Sequence, residues 1–165
     1  MENKVALITG SGSGIGKAAA QLFAKEGARI VVADLDRGRG EDTVKKIRAG
    51  GGQSIFVETD VTKSSLVEEA VSKTISEFGS IDILSNSTGA DIFVINPKAD
   101  GNIVGTLEED WDRLLAINLK GAFLFAKYTL PHMMKQRRGV VINMGSGYGL
   151  VGGWRPLHTV HPKEA

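Results

Sequence analysis

The feature that most constrains this chain is the run Thr9-Gly10-Ser11-Gly12-Ser13-Gly14-Ile15-Gly16, which follows the apolar stretch Val5-Ala6-Leu7-Ile8 and passes directly into Lys17-Ala18-Ala19-Ala20. An apolar strand, a glycine turn and a helix start must therefore follow one another here. Gly10 permits the tight turn off the strand, Gly14 leaves room for the backbone to approach a bound group, and Gly16 lets helix and strand pack closely. With the helix start at Ser13, Gly14 and Ile15 offering unpaired N–H groups, the run makes a seat for the pyrophosphate of a dinucleotide. A Walker-type phosphate loop is excluded, because Ser11 and Ala18 stand where it needs a glycine and a Ser or Thr.

Apolar β-rich runs alternate with helical patterns along the rest of the chain. Strands are expected near Val5 to Ile8, Ile30 to Ala33, Ile55 to Val57, Ile81 to Leu84 and Val140 to Ile142. Such alternation argues an α/β fold with a parallel sheet built from right-handed βαβ units. The helix from Ile15 carries Leu22 and Phe23 and ends at Gly27; that after Thr62 carries Leu66, Val67, Ala70, Val71, Ile75 and Phe78 and ends at Gly79. Thr106 and Glu109 read as a capping box opening the longest helix, through Trp111, Leu115 and Ala122 toward Met134. The stretch Asp91 to Gly105 is expected to be irregular, either a surface insertion or part of a substrate-side rim. The whole of 1–165 reads as a single domain, irregular over 154–165.

Composition narrows the class. With 20 Lys and Arg against 19 Asp and Glu there is no basic patch for nucleic acid, and the absence of cysteine removes disulfides, thiolate metal sites and a cysteine nucleophile. No metal site is expected. No apolar run is long enough to span a bilayer and Met1-Glu2-Asn3-Lys4 does not read as a targeting peptide, so the expected location is the cytoplasm.

Asp34, 18 positions after Gly16, closes the second strand close to where an acid would hold the adenosine ribose hydroxyls. A carboxylate there accepts hydrogen bonds from a diol and repels a 2′-phosphate, which favours NAD over NADP, while Arg37 nearby softens that preference. The glycine run, Asp60-Val61, Asn86 with Gly89, Asn118 and Val141-Ile142-Asn143-Met144-Gly145-Ser146 occur in an order that resembles a classical short-chain dehydrogenase/reductase over nearly the whole chain. That resemblance implies a Rossmann-like doubly wound parallel sheet in three αβα layers with the strand order 3-2-1-4-5, and hydride transfer between NAD(H) and a small-molecule alcohol or ketone. It implies that Asp60 and Val61 contact the adenine, that Asn86 lies beside the adenosine and steadies the sheet, that Asn118 holds a water through a helix irregularity, and that Ser146 binds the substrate oxygen. The family's Asn-Asn-Ala-Gly stands here as Asn86-Ser87-Thr88-Gly89. Thr9 is expected to brace the turn. The family commonly forms homo-oligomers through the helix around Trp111 to Met134 and the one after it.

The resemblance also implies a tyrosine with a lysine four positions on, the cation lowering a phenol pKa of about 10 toward the working pH. The corresponding span is Thr159-Val160-His161-Pro162-Lys163, in which Lys163 matches and Thr159 does not. An aliphatic hydroxyl is a poor acid or base, and Pro162 opposes helix before Lys163, so catalysis is expected to be impaired. Tyr148, His158 and His161 are the alternative donors. Reading the codons of Leu157 to Ala165 from their third bases permits Ala-Tyr-Ser-Ala-Ser-Lys-Gly-Gly, which resembles the family's catalytic stretch and leads to the expectation of a base lost between about Gly153 and Pro156. On this reading the family sequence is truncated after the fifth strand. The competing expectation is a nucleotide-binding module without turnover.

Overall fold

The computed structural model describes residues 1–99 and 101–147. Strands β1 (Val5–Thr9), β2 (Arg29–Asp34), β3 (Ser54–Glu58), β4 (Ile83–Asn86) and β5 (Val140–Asn143) form a parallel sheet in the order β3-β2-β1-β4-β5. Its central strand β1 is buried from end to end, as a parallel strand covered on both faces must be. Successive side chains then enter opposite layers. Leu7, Val31, Ala33, Val57 and Leu84 pack with helices α3 (Ser64–Phe78) and α6 (Gly121–Lys135) through Val67, Val71, Leu124 and Phe125. Ala6, Ile8, Ile30, Val32 and Ile83 pack with α1 (Gly14–Lys25) and α2 (Arg37–Ala49) through Ala20, Val44 and Ile47. This is the expected three-layer, doubly wound arrangement.

Register aligns the C-terminal strand ends. Thr9 lies beside Ala33 and Asn86, Asn86 beside Asn143, and Asp34 beside Glu58, so the residues closing all five strands share one edge. At the other edge the buried Asp82 carboxylate accepts from Val5 N at 3.0 Å and sits 3.0 Å from Arg138 Nε. That pairing ties together the starts of β1, β4 and β5.

Helix ends follow their local chemistry. Gly79 caps α3 at φ 79°, and Gly27 follows α1 at φ 85°, conformations that glycine adopts without a Cβ penalty. The expected capping box does not form. Thr106 Oγ1 donates instead to Asn102 O at 2.9 Å, and the cap of α5 (Glu108–Leu115) is Leu107, which makes no side-chain capping bond. Glu108, Glu109 and Asp110 occupy the first turn, where their charge complements the helix dipole. The long helix is not continuous α-helix, since a π-helical turn at Ala116–Lys120 joins α5 to α6. Residues Ile92–Ile95 within the expected irregular stretch form a short helix, α4, capped by Asp91 through Val94 N at 2.9 Å.

One boundary and one further element differ from the sequence reading. β4 begins at Ile83, because Asp82 N and O bond to Val5 O and Val140 N before the ladder with β1 starts. α2 is a helix for which hydropathy gives little signal. Its buried face is Gly40, Thr43, Val44 and Ile47, and Gly40 lies so close against the Phe56 ring that a Cβ there would occupy it.

Candidate functional site

The glycine run leaves β1 at the C-terminal edge of the sheet. Gly10, at φ 62°, passes so near the next crossover that a Cβ would lie 2.9 Å from Thr88 Cα. Ser11 Oγ returns a bond to Ile8 O at 2.7 Å and fixes the turn from inside. Gly16 packs against the Gly10 carbonyl, the close helix-to-strand contact expected of it. Between them Ser13, Gly14 and Ile15 are exposed. Gly14 adopts φ 51° with nothing within 4 Å of a Cβ position. Ser13 caps α1 in extended conformation without a side-chain capping bond, and no acid occupies the first turn. An uncapped helix N-terminus with no acid in its first turn fits an anion such as a pyrophosphate.

Lys17 does not face that anion seat. Its Nζ lies 2.8 Å from Asp42 Oδ2 on α2, and Lys46 reaches the same oxygen at 2.8 Å. Lys17 first and Lys46 second hold the Asp42 carboxyl down at about 2.

Asp34 closes β2 beside the glycine run. Its Oδ2 accepts from Gly12 N at 2.7 Å and its Oδ1 from Asp36 N at 2.9 Å. Arg37 reaches Glu58 at 2.7 Å and Glu41 at 3.3 Å, and these acids, Glu58 foremost, push its guanidinium pKa further up. Arg39 pairs with Asp36 at 3.2 Å. After β3, Asp60 Oδ1 accepts from Thr62 N at 2.9 Å and Thr62 Oγ1 at 2.7 Å, which shapes the turn before α3. Val61 packs on Gly121, where a Cβ would fall 2.9 Å from Val61 Cγ2. Only a glycine at the start of α6 lets the helix approach Val61 so closely.

The loop after β4 is held from two sides. Thr9 Oγ1 accepts from Ser87 N at 3.0 Å and Thr88 N at 3.1 Å, so the segment it braces is the loop after β4 and not the glycine turn expected from the sequence. Asn118, in the π-helical turn, accepts from Ala90 N and donates to Ala90 O, both at 2.8 Å. Such a turn is a departure from regular helix that recurs at functional sites, and here it turns an amide onto the β4 loop. Gly89 lies beside that amide, its Cβ position 3.6 Å from Asn118 Oδ1. Asn86 Nδ2 donates to Asn143 Oδ1 at 2.8 Å and Asn86 O accepts from Met144 N at 3.1 Å, so Asn86 does join β4 to β5.

These residues enclose a cleft of about 330 Å³ lined in part by Thr9, Val61, Asn86, Thr88, Asn118 and Asn143. The structure thus gathers Gly10, Ser13, Gly14, Ile15, Gly16, Asp34, Asp60, Val61, Asn86, Gly89 and Asn118 along one edge of the sheet, with Ser146 exposed just beyond β5. Thr159 and Lys163, with Tyr148, His158 and His161, lie outside the described residues. Gly12 and the Asn143 side chain also belong to the edge. The register of Asn143 opposite Asn86 is the signal for the second; the first has no local signal. Among the described residues no helix is long and apolar enough to cross a membrane, and no cluster of His, Asp and Glu could hold a metal ion.

A model of the short chain dehydrogenase family matches residues 4–155. An uncharacterized oxidoreductase of Thermotoga maritima is 45% identical over 151 residues, covering 92% of this chain and 57% of that protein. The 3-oxoacyl-(acyl-carrier-protein) reductase of the same organism is 37% identical over 152 residues, covering 92% of this chain and 59% of that protein. A crystal structure of a metagenomic short-chain oxidoreductase in complex with NADP superposes with a TM-score of 0.81 at 29% identity, over 88% of this chain and 63% of that one. The chain thus spans under two thirds of the length of each.

Proposed function

The chain belongs to the short-chain dehydrogenase/reductase family, and from that premise we infer that its strand edge binds NAD(H) and serves hydride transfer between that cofactor and a small-molecule alcohol or ketone. The bound nicotinamide would supply the hydride acceptor or donor. The observation that carries the reading is the Asp34 carboxylate, fixed beside the glycine run by Gly12 N. Next to an uncapped helix N-terminus it gives one end of the edge a preference for phosphate and the neighbouring end a preference for a neutral diol.

Asp60 and Val61 flank the adenine, and Asn86 and Gly89 the adenosine. Asn118 orders the β4 loop through Ala90. Ser146, at the C-terminal end of a parallel strand, holds the substrate oxygen. In sequence Lys163 and Thr159 stand at the spacing of the family's proton relay, and because an aliphatic hydroxyl is a poorer acid or base than a phenol, proton transfer is the weak step. General acid–base catalysis contributes about 10²–10⁴-fold, so its loss leaves binding intact while turnover collapses.

A second reading, nucleotide binding without turnover, is favoured by the same Thr159. Titration of NADH by nicotinamide fluorescence, followed by a panel of secondary alcohols and ketones read by NADH absorbance, separates the two. Binding with measurable oxidation supports the oxidoreductase reading, binding alone supports the second, and no binding removes both.

A further inference from the structure

We propose that Gly12 is the positioning residue that sets Asp34 for a ribose diol and thereby decides cofactor preference, a role that rests on the reading of this edge as an NAD(H) site. Gly12 is not needed for backbone conformation, because within the run only Gly10 and Gly14 have positive φ. Nor does it meet the helix-to-strand contact that accounts for Gly16. What excludes a side chain at position 12 is Asp34 itself. A Cβ there would lie 2.9 Å from both Asp34 Cγ and Oδ2, and 3.0 Å from Arg39 Cβ. The space that a methyl group would take is the space the carboxylate uses to reach Gly12 N at 2.7 Å.

The consequence concerns how many acceptor sites remain. An ionised carboxylate offers about four lone-pair sites. Gly12 N occupies one on Oδ2 and Asp36 N one on Oδ1, which fixes the group's orientation and leaves one site on each oxygen. Two remaining acceptors match the two donors of a 2′,3′-diol. A 2′-phosphate brings no donor at neutral pH and meets negative charge. The cations that could compensate are committed elsewhere, Arg37 to Glu58 and Glu41 and Arg39 to Asp36. Displacing Asp34 by a Cβ at position 12 therefore removes both the acceptor geometry and the charge barrier in one step.

The test uses adenosine 5′-monophosphate and adenosine 2′,5′-bisphosphate, which carry the ribose edge without nicotinamide, so turnover plays no part. Calorimetric titration of the wild-type chain is expected to show the monophosphate bound more tightly. Gly12→Ala is expected to weaken it about tenfold, the loss of a hydrogen bond to a charged group, while leaving the bisphosphate unchanged or improved. Asp34→Ala is expected to collapse the ratio equally. Because Gly12 acts through Asp34, the double variant Gly12→Ala/Asp34→Ala is expected to be no worse than Asp34→Ala alone. Retention of the wild-type ratio by Gly12→Ala while Asp34→Ala loses it overturns the proposal and leaves the cofactor reading intact. A wild-type ratio near one that Asp34→Ala does not move overturns both. Should Gly12→Ala fail to fold, amide hydrogen exchange decides: Gly12 N–H is expected to exchange at least about tenfold faster in Asp34→Ala than in wild type, and equal rates overturn the proposal.

Discussion

Replacing Thr9 with Val keeps the shape and the β-branching of the side chain but removes the oxygen that receives the β4 loop. Thr9 is 1% exposed, and its Oγ1 accepts two backbone donors, Ser87 N at 3.0 Å and Thr88 N at 3.1 Å. A buried donor left without a partner costs about 1–3 kcal/mol. Ser87 and Thr88 are half-buried and water can reach part of the loop, so the pair is expected to cost about 2–4 kcal/mol rather than the full sum. That is a large share of a domain stability of about 5–15 kcal/mol. Urea unfolding followed by circular dichroism measures it directly. Thr9→Ser, which retains the hydroxyl and loses one methyl group, is the control, expected to cost about 1 kcal/mol. Because the released loop lines the cleft, Thr9→Val is also expected to weaken NADH binding. Stability of Thr9→Val within about 0.5 kcal/mol of wild type would show that the loop is held by other contacts and refute the bracing role.

Phe125, fully buried in the layer under α3 and α6, is expected to cost about 3–5 kcal/mol when replaced by Ala; a loss below about 1 kcal/mol in the same unfolding assay would contradict its place in the core. Gly40→Ala forces a methyl group into the Phe56 ring and is expected to destabilise by about 1–3 kcal/mol, more than the helix propensity of alanine returns, so a stabilised variant would contradict the α2 packing. The Asp42 carboxyl is expected to titrate at about 2 in carbon-detected NMR, against an ordinary 3.8. Since the folded value is depressed, its pairing with Lys17 and Lys46 supports the fold above the ordinary value and is lost as pH falls toward 2; Lys17→Met is expected to move the midpoint back up, and an unmoved midpoint would remove Lys17 as the main cause.

The strand, glycine turn and first helix are legible because each depends on neighbours in sequence; alternation adds a parallel α/β sheet, while its strand order is legible only through the family resemblance. α2 is not legible in that way. Its buried face is built from glycine, threonine and two aliphatic residues, and its packing partner, Phe56, lies on another element. The Thr106 capping box fails for a related reason: the hydroxyl has a second local acceptor in Asn102 O, and the helix begins one residue later than the motif requires. Asn118 has no pattern that distinguishes it from a polar helix residue. Its significance came from resemblance, and the structure supplies the physical cause in the π-helical turn and the paired bonds to Ala90. Gly12 and Asp34 meet across a 22-residue separation that no local pattern records.

The central claim, that the C-terminal edge of the sheet is an NAD(H) site, is tested most directly by mapping amide shifts of the labelled chain as NADH is added. The account predicts perturbations concentrated at Gly10 to Gly16, Asp34, Asp60, Val61 and Asn86 to Ala90, saturating at lower concentration with NADH than with NADPH. The opposite edge provides an internal reference, since Val5, Asp82 and Arg138 are joined there by their own contacts. Perturbations centred on that edge, or none at the glycine run, would contradict the account.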